Sequence, residues 1–346
     1  MCNIAGYVGN RQAAPILVEM LKKQEGLAGG YYTGIVTYHE GTFYSYKLTG
    51  DTQKLLDTYD ILSMPGSIGI IHSRSKAGGG DEWAHPFIGR DPEGNVLNYY
   101  VANGSVGYFK GREAENNRIA QELESEGYRY DSKVQIQSER YPTLQDGSKV
   151  HMSDVAAQLI ARNMHRGMTG AAAMEKCFCD MPCDLVGLML RTHTPSAIAY
   201  CATNMPMTAG RAEHGMYLAS TALALPEDAR YVQQLPVHAS GYVYADRYEM
   251  IPFERPVAEL AEMNASVLAK ACAVIENELK TSEKSFPELR RAVNPLFGDA
   301  FAPAARTVYE VLYALKKEGR IALYNTSVEG AFPHLTAPRT LIKRIE

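Results

Sequence analysis

Five strand-like runs, 184–191, 197–203, 215–220, 231–237 and 241–253, follow one another separated only by short stretches carrying Pro, Gly and Asn. Parallel neighbours need a crossover of a dozen residues or more, which these gaps do not supply, so the runs are read as antiparallel strands rather than βαβ units. The first half is more mixed. Residues 3–9 form an apolar run ending at Gly9, read as a buried strand. Residues 13–23 then place Ile16, Leu17, Met20 and Leu21 on one helical face, with Lys22 and Lys23 at the favourable end of the helix dipole. Gly29, Gly30 and Gly34 bracket a turn before a strand at 35–38. Strands are also expected at 67–72 and 97–102, and helices at 112–127 and 154–163, the latter capped by Ser153 or Asp154.

After Phe253 the pattern changes. Residues 256–280 read as a long amphipathic helix and 304–318 as another, ending at Gly319. A strand at 320–324 and a Thr- and Pro-punctuated run to Ile345 follow, an order compatible with a winged helix. The expected division is therefore 1–254 and 255–346. The second part carries 13 Lys and Arg against 11 Asp and Glu, a net charge of +2. That is far short of a basic face for nucleic acid. The 304–318 helix is rich in apolar residues, so protein binding or dimerisation is the expected use of this part.

Bulk properties exclude little else. With 46% hydrophobic and 21% charged residues and a formal charge of −4, the chain has no general attraction to nucleic acid or acidic membranes. No stretch approaches the roughly 18–20 apolar residues of a membrane span. No secretory signal is seen, so a cytoplasmic location is expected. Cys177, Cys179 and Cys183 lack a second ligand pair at a metal-site spacing, and buried thiols are the reading adopted: no metal and no cofactor.

Four short motifs carry chemistry. Removal of Met1 leaves Cys2 with a thiol and an α-amine of pKa about 7.7–8.0, so one residue supplies both nucleophile and base. His72-Ser73-Arg74 ends a strand, and Arg74 offers a two-pronged donor to a carboxylate. Ala102-Asn103-Gly104 ends another; a side-chain amide beside a glycine N–H makes an oxyanion hole, although Asn-Gly is also a common hairpin turn. Asp154 opens a helix, where it either caps or holds an ammonium group.

Taken in order, these motifs resemble the glutaminase domain of glutamine:fructose-6-phosphate amidotransferase and other class II glutamine amidotransferases. Met1-Cys2-Asn3-Ile4-Ala5-Gly6-Tyr7 is similar to the family's opening M-C-G-I-x-G-Y. Ile71-His72-Ser73-Arg74, Ala84-His85-Pro86, Ala102-Asn103-Gly104 and Ser153-Asp154-Val155 resemble its G-H-T-R, A-H-P, H-N-G and S-D-T-E-V motifs. The resemblance covers residues 1–250. It implies an α+β fold, the αββα sandwich of two antiparallel sheets of the N-terminal nucleophile hydrolases. It further implies Cys2 as nucleophile, Asn103 and Gly104 as oxyanion hole, Arg74 and Asp154 as clamps for the glutamine α-carboxylate and α-ammonium, and His72 and His85 in support.

The sequence also departs from the family. Asn3 replaces a glycine, Ala28 an arginine, and Ser75 an aromatic residue, while Ala77 and Gly78 stand where polar residues help to bind glutamine. Lost donors weaken glutamine binding. The family's sugar-phosphate isomerase domains have no counterpart in residues 255–346. The expected function is glutamine hydrolysis to glutamate and ammonia, with the ammonia passed to a separate synthase chain; self-association is a further expectation. Two alternatives stand beside it: an amidase on another small amide, and a regulator that senses an amino acid and binds DNA or protein through its C-terminal unit. Membrane and nucleic acid are not expected as partners.

Overall fold

The computed structural model describes residues 2–76, 78–105, 111–192, 196–298 and 301–345. The chain opens with β1 (Asn3–Gly9), α1 (Ala13–Lys22), α2 (Glu25–Ala28), β2 (Tyr32–His39), β3 (Thr42–Thr49) and α3 (Thr52–Thr58). Next come β4 (Ile68–Arg74), β5 (Phe87–Arg90), β6 (Val96–Ser105), α4 (Glu113–Ser125), α5 (Met152–His165) and α6 (Gly170–Asp180). Seven strands follow: β7 (Asp184–Arg191), β8 (Ile198–Ala202), β9 (Thr208–Ala212), β10 (Gly215–Ala219), β11 (Arg230–Gln234), β12 (Ala239–Val243) and β13 (Tyr248–Pro252). The C-terminal part holds α7 (Ala265–Thr281), β14 (Lys284–Ser285), α8 (Phe286–Val293), α9 (Ala304–Lys317), β15 (Ile321–Glu329) and β16 (Thr336–Arg344).

Two antiparallel sheets stack face to face. One runs β11-β9-β10-β1-β4-β2-β3 and the other β13-β12-β8-β7-β6-β5. Ile4, Val36 and Ile70 of the first meet Val101, Leu188 and Ile198 of the second. The sheets approach closely at Gly6, where an added Cβ would lie 3.1 Å from the Ile198 side chain. The opposite face of the first sheet carries Tyr7, Ile35 and Ile71 against Leu17 and Leu21 of α1. That of the second carries Tyr100 and Met189 against Leu159 of α5 and Phe178 of α6. Helices therefore cover both outer faces. Strands buried on both sides read as continuous apolar runs, which is why β1 and β4 stand out in the sequence.

The C-terminal part has the order helix, strand, helix, helix, hairpin, with the small sheet ordered β14-β16-β15. This is the winged-helix order. Ser285 and Glu288 form a reciprocal capping box that starts α8. Ile275, Leu289, Leu312 and Ile342 pack in a hydrophobic cluster continuous with the sandwich interior.

Several expectations are corrected. The helix expected from residue 256 begins only at Ala265, because the Asn264 side chain accepts from Val267 N and caps it there. The single strand expected over 241–253 is the hairpin of β12 and β13. β3 and β9 were not foreseen, and β2 begins at Tyr32 rather than residue 35. Helix α5 is capped by His151, whose ring accepts from Ser153 N, so neither Ser153 nor Asp154 is the cap.

Candidate active site

Cys2 immediately precedes β1, the strand between β10 and β4. Its backbone N–H donates to Asn103 Oδ1 on the facing sheet at 2.8 Å, so the chain start spans the two sheets. The side chain is 8% exposed. Burial raises the thiol pKa, but neighbouring His72 and the Ser75 backbone outweigh it, and the thiol ends near pKa 6. His72 lies on β4 opposite Ile4 and bonds Ala102 O through Nε2 at 3.0 Å. A carbonyl only accepts, so Nε2 carries the proton. Its ring stacks on His85 at 3.8 Å between centroids. His85 and His151 are both pushed well below the usual histidine pKa by burial, with Arg74 and His72 adding to the effect, so both rings are neutral.

Arg74, the last residue of β4, is 2% exposed. Nη1 donates to Gly78 O at 3.1 Å and Trp83 O at 3.3 Å, and Nη2 to Tyr141 Oη at 3.4 Å. The guanidinium lies 4.6 Å from the Tyr32 ring centre. Among the described residues it has no carboxylate partner. Buried charges are normally paired, so this cation is set up to receive an anion. Asn103 and Gly104 lie within β6 rather than in a turn, which removes the hairpin reading. Asn103 is fully buried, and its Nδ2 has no partner among the described residues. At Gly104 φ is +140°, and a Cβ would fall 1.8 Å from Asp184 O, so no other residue fits.

A cavity of about 330 Å³ brings together Cys2, Arg74, Ser75, His85 and Gly104. Asp154 is not on its wall. Its Oδ2 accepts from Ser132 N and Oγ at 2.8 Å each, and Oδ1 from Gln158 Nε2 at 3.0 Å. Burial raises this carboxyl to about pKa 6 despite those donors. The Asp154 oxygens thus bond Ser132 and Gln158 rather than facing the cavity. Glu113 and Glu139 are the acids that reach the cavity, and sequence reasoning missed them along with Tyr141 and His151. His151 sits two residues before the Ser153-Asp154 motif and was the one within reach of a motif search. Tyr141 and Glu139 lie in an irregular segment with no periodicity to mark them. Met1 and the departure at Ala77 lie outside the described residues.

Asn3, the replacement for the family glycine, is fully buried and useful. Its Oδ1 accepts from Ala28 N at 3.1 Å and its Nδ2 donates to Tyr309 Oη at 3.3 Å. It ties the residue beside the nucleophile position to α2 and α9. The Cys177 and Cys183 side chains are buried while Cys179 is exposed.

Two antiparallel sheets sandwiched by helices, with the first strand leading out of a site cysteine, define the N-terminal nucleophile hydrolase fold. Within it, the chain is similar to glutamine amidotransferases in sequence and in fold. It is 37% identical over 112 residues to glutamine–fructose-6-phosphate aminotransferase of Pyrococcus horikoshii, covering 32% of this chain and 18% of that protein. It is 24% identical to the Agrobacterium fabrum enzyme of the same name over 314 residues, 89% of this chain and 46% of the relative. The chain thus spans less than half the length of these relatives. Among solved structures it is similar to glutamine phosphoribosylpyrophosphate amidotransferase from B. subtilis, with TM-score 0.58 and 15% identity over 90% of this chain and 64% of that one. The structure of the allosteric regulatory enzyme of purine biosynthesis gives TM-score 0.56 and 16% identity over 90% and 63%. No family model matches the chain.

Proposed function

We propose that the chain hydrolyses the side-chain amide of glutamine to glutamate and ammonia, and passes the ammonia to a separate synthase chain. The observation that carries this reading is Arg74, a buried cation without a carboxylate partner among the described residues, on the same cavity as Cys2. With Met1 removed, the thiol proton of Cys2 resides on its α-amine. The thiolate attacks the amide carbon, and the oxyanion is held by Asn103 Nδ2 and the Gly104 N–H. Collapse breaks the C–N bond, the α-ammonium proton goes to the leaving nitrogen, and ammonia departs. Water then cleaves the Cys2 thioester and releases glutamate. Glu113 or Glu139 takes over the ammonium grip that Asp154 is too committed to supply.

The test is intact mass of protein from its native host, before and after a diazoketone analogue of glutamine. A chain starting at Cys2 and gaining one adduct, absent from Cys2→Ala, is expected. A retained Met1, or an adduct elsewhere, sinks the assignment. A second reading, an amidase acting on an amide with an apolar body, is favoured by Phe178, Met181 and Leu185 on the cavity wall. A higher kcat/KM on such an amide than on glutamine would select it.

A further inference from the structure

A second cavity, about 430 Å³, opens between the sandwich and the C-terminal unit. Among the described residues, Lys76, Arg290, Arg291 and Arg339 line it and no carboxylate does. Lys76 pairs with Glu329 at 2.8 Å and Arg339 with Glu288 at 3.5 Å, both acids lying outside the wall. Both pairs are solvent-exposed and therefore weak competitors for a ligand. Arg291 has no ion-pair partner among the described residues. Guanidinium forks converging on one concave space match oxyanions of charge two or more.

The cavity also touches the candidate active site. Ser75 lines both cavities, and its Oγ lies 4.0 Å from Cys2 Sγ. Ala28, on the same wall, holds Asn3 through its backbone N–H. From this geometry we infer that the cavity is a binding site for a small, multiply charged oxyanion, seated between the two parts of the chain and sharing Ser75 as a wall with the amide cavity. Phosphoryl and polycarboxylate compounds share that chemistry.

The experiment titrates the full chain with pyrophosphate and with citrate at matched ionic strength, reading heat of binding and the shift in Tm. Saturable one-to-one binding of at least one probe is expected. Pyrophosphate alone would assign a phosphoryl ligand, citrate alone a polycarboxylate, and both together selection by charge. The Arg291→Ala/Arg339→Ala variant should bind about tenfold or more weakly, the scale of one lost charge-assisted contact. The corresponding double Lys variant should recover part of the affinity. Unchanged affinity in the Ala variant, or no binding by either probe beyond a chloride control, overturns the proposal. Binding is read directly, so the result stands apart from whether glutamine is hydrolysed.

Discussion

At the scale of single residues, burial raises the Cys2 thiol, but neighbouring His72 outweighs it and brings the thiol down to about pKa 6. The thiolate is then populated above about pH 6 and lost as pH falls through it. Alkylation by iodoacetamide should follow that curve, with its inflection near 6; an inflection near the free-cysteine value of about 8.5 would mean an unactivated thiol. Arg74 and Asn103 separate by the kinetic parameter they touch. A carboxylate clamp grips ground state and transition state alike, so Arg74→Ala should mainly raise KM. Unchanged KM would make the arginine purely structural. An oxyanion donor acts only as charge develops, so Asn103→Ala should lower kcat by roughly 10²–10³. A variant retaining wild-type kcat would remove Asn103 from the oxyanion hole.

At the scale of elements, Glu25 of α2 is joined to the start of α3: its carboxylate accepts from Thr52 N at 3.1 Å and Thr52 Oγ1 at 2.6 Å. Burial raises its pKa from 4.5 to about 7 in spite of those donors. The folded state therefore holds this proton more tightly than the unfolded chain. Its contribution to stability is fully present below pH 4.5 and lost as pH rises through 7. Glu25→Gln keeps an acceptor and removes the charge. Its Tm, measured against wild type by differential scanning fluorimetry, should gain on wild type as pH rises from 4.5 to 7.5. A constant difference would show that the carboxyl is not desolvated. The same contrast between burial and local pattern decides what could be read from sequence. β1, β4 and β6 are continuous apolar runs because both their faces are covered, and each ends at a motif residue: Cys2 before β1, Arg74 and Asn103 near the ends of the others. β3 was missed because its residues are mostly half-exposed and polar, and β9 because Thr208–Ala212 carries no large apolar side chain and includes the exposed Arg211. For Asp154, spacing places a carboxylate at a helix start but does not say that Ser132, 22 residues earlier, will bond it.

At the scale of the whole molecule, a winged-helix order raises the question of DNA. In a helix-turn-helix arrangement the second helix of the pair enters the major groove, and here that helix is α9. Its apolar face is already covered. Val308, Tyr309, Leu312 and Leu315 are buried, and Tyr309 reaches Asn3 beside Cys2. Arg306 Nε donates to Gln234 Oε1 at 2.9 Å, while Gln234 Nε2 donates to Glu310 at 2.6 Å, so Arg306 and Glu310 of α9 face β11 of the sandwich. A groove-binding role would require the unit to leave the sandwich and expose that apolar surface to water, at about 25 cal/mol per Å². The charge does not favour it either, since 13 Lys and Arg are nearly matched by 11 Asp and Glu in residues 255–346. Non-specific duplex binding needs several phosphates neutralised at once. The full chain should therefore show no duplex DNA binding in the micromolar range at either 50 or 200 mM salt, by roughly the salt window over which phosphate-led binding collapses. Fluorescence anisotropy of a labelled duplex makes the measurement. Micromolar affinity at the lower salt that falls steeply at the higher would reverse the argument, because it could arise only if α9 or the cations beside it were free to meet phosphate, and the C-terminal unit would then be a nucleic-acid reader carried on an amidotransferase fold.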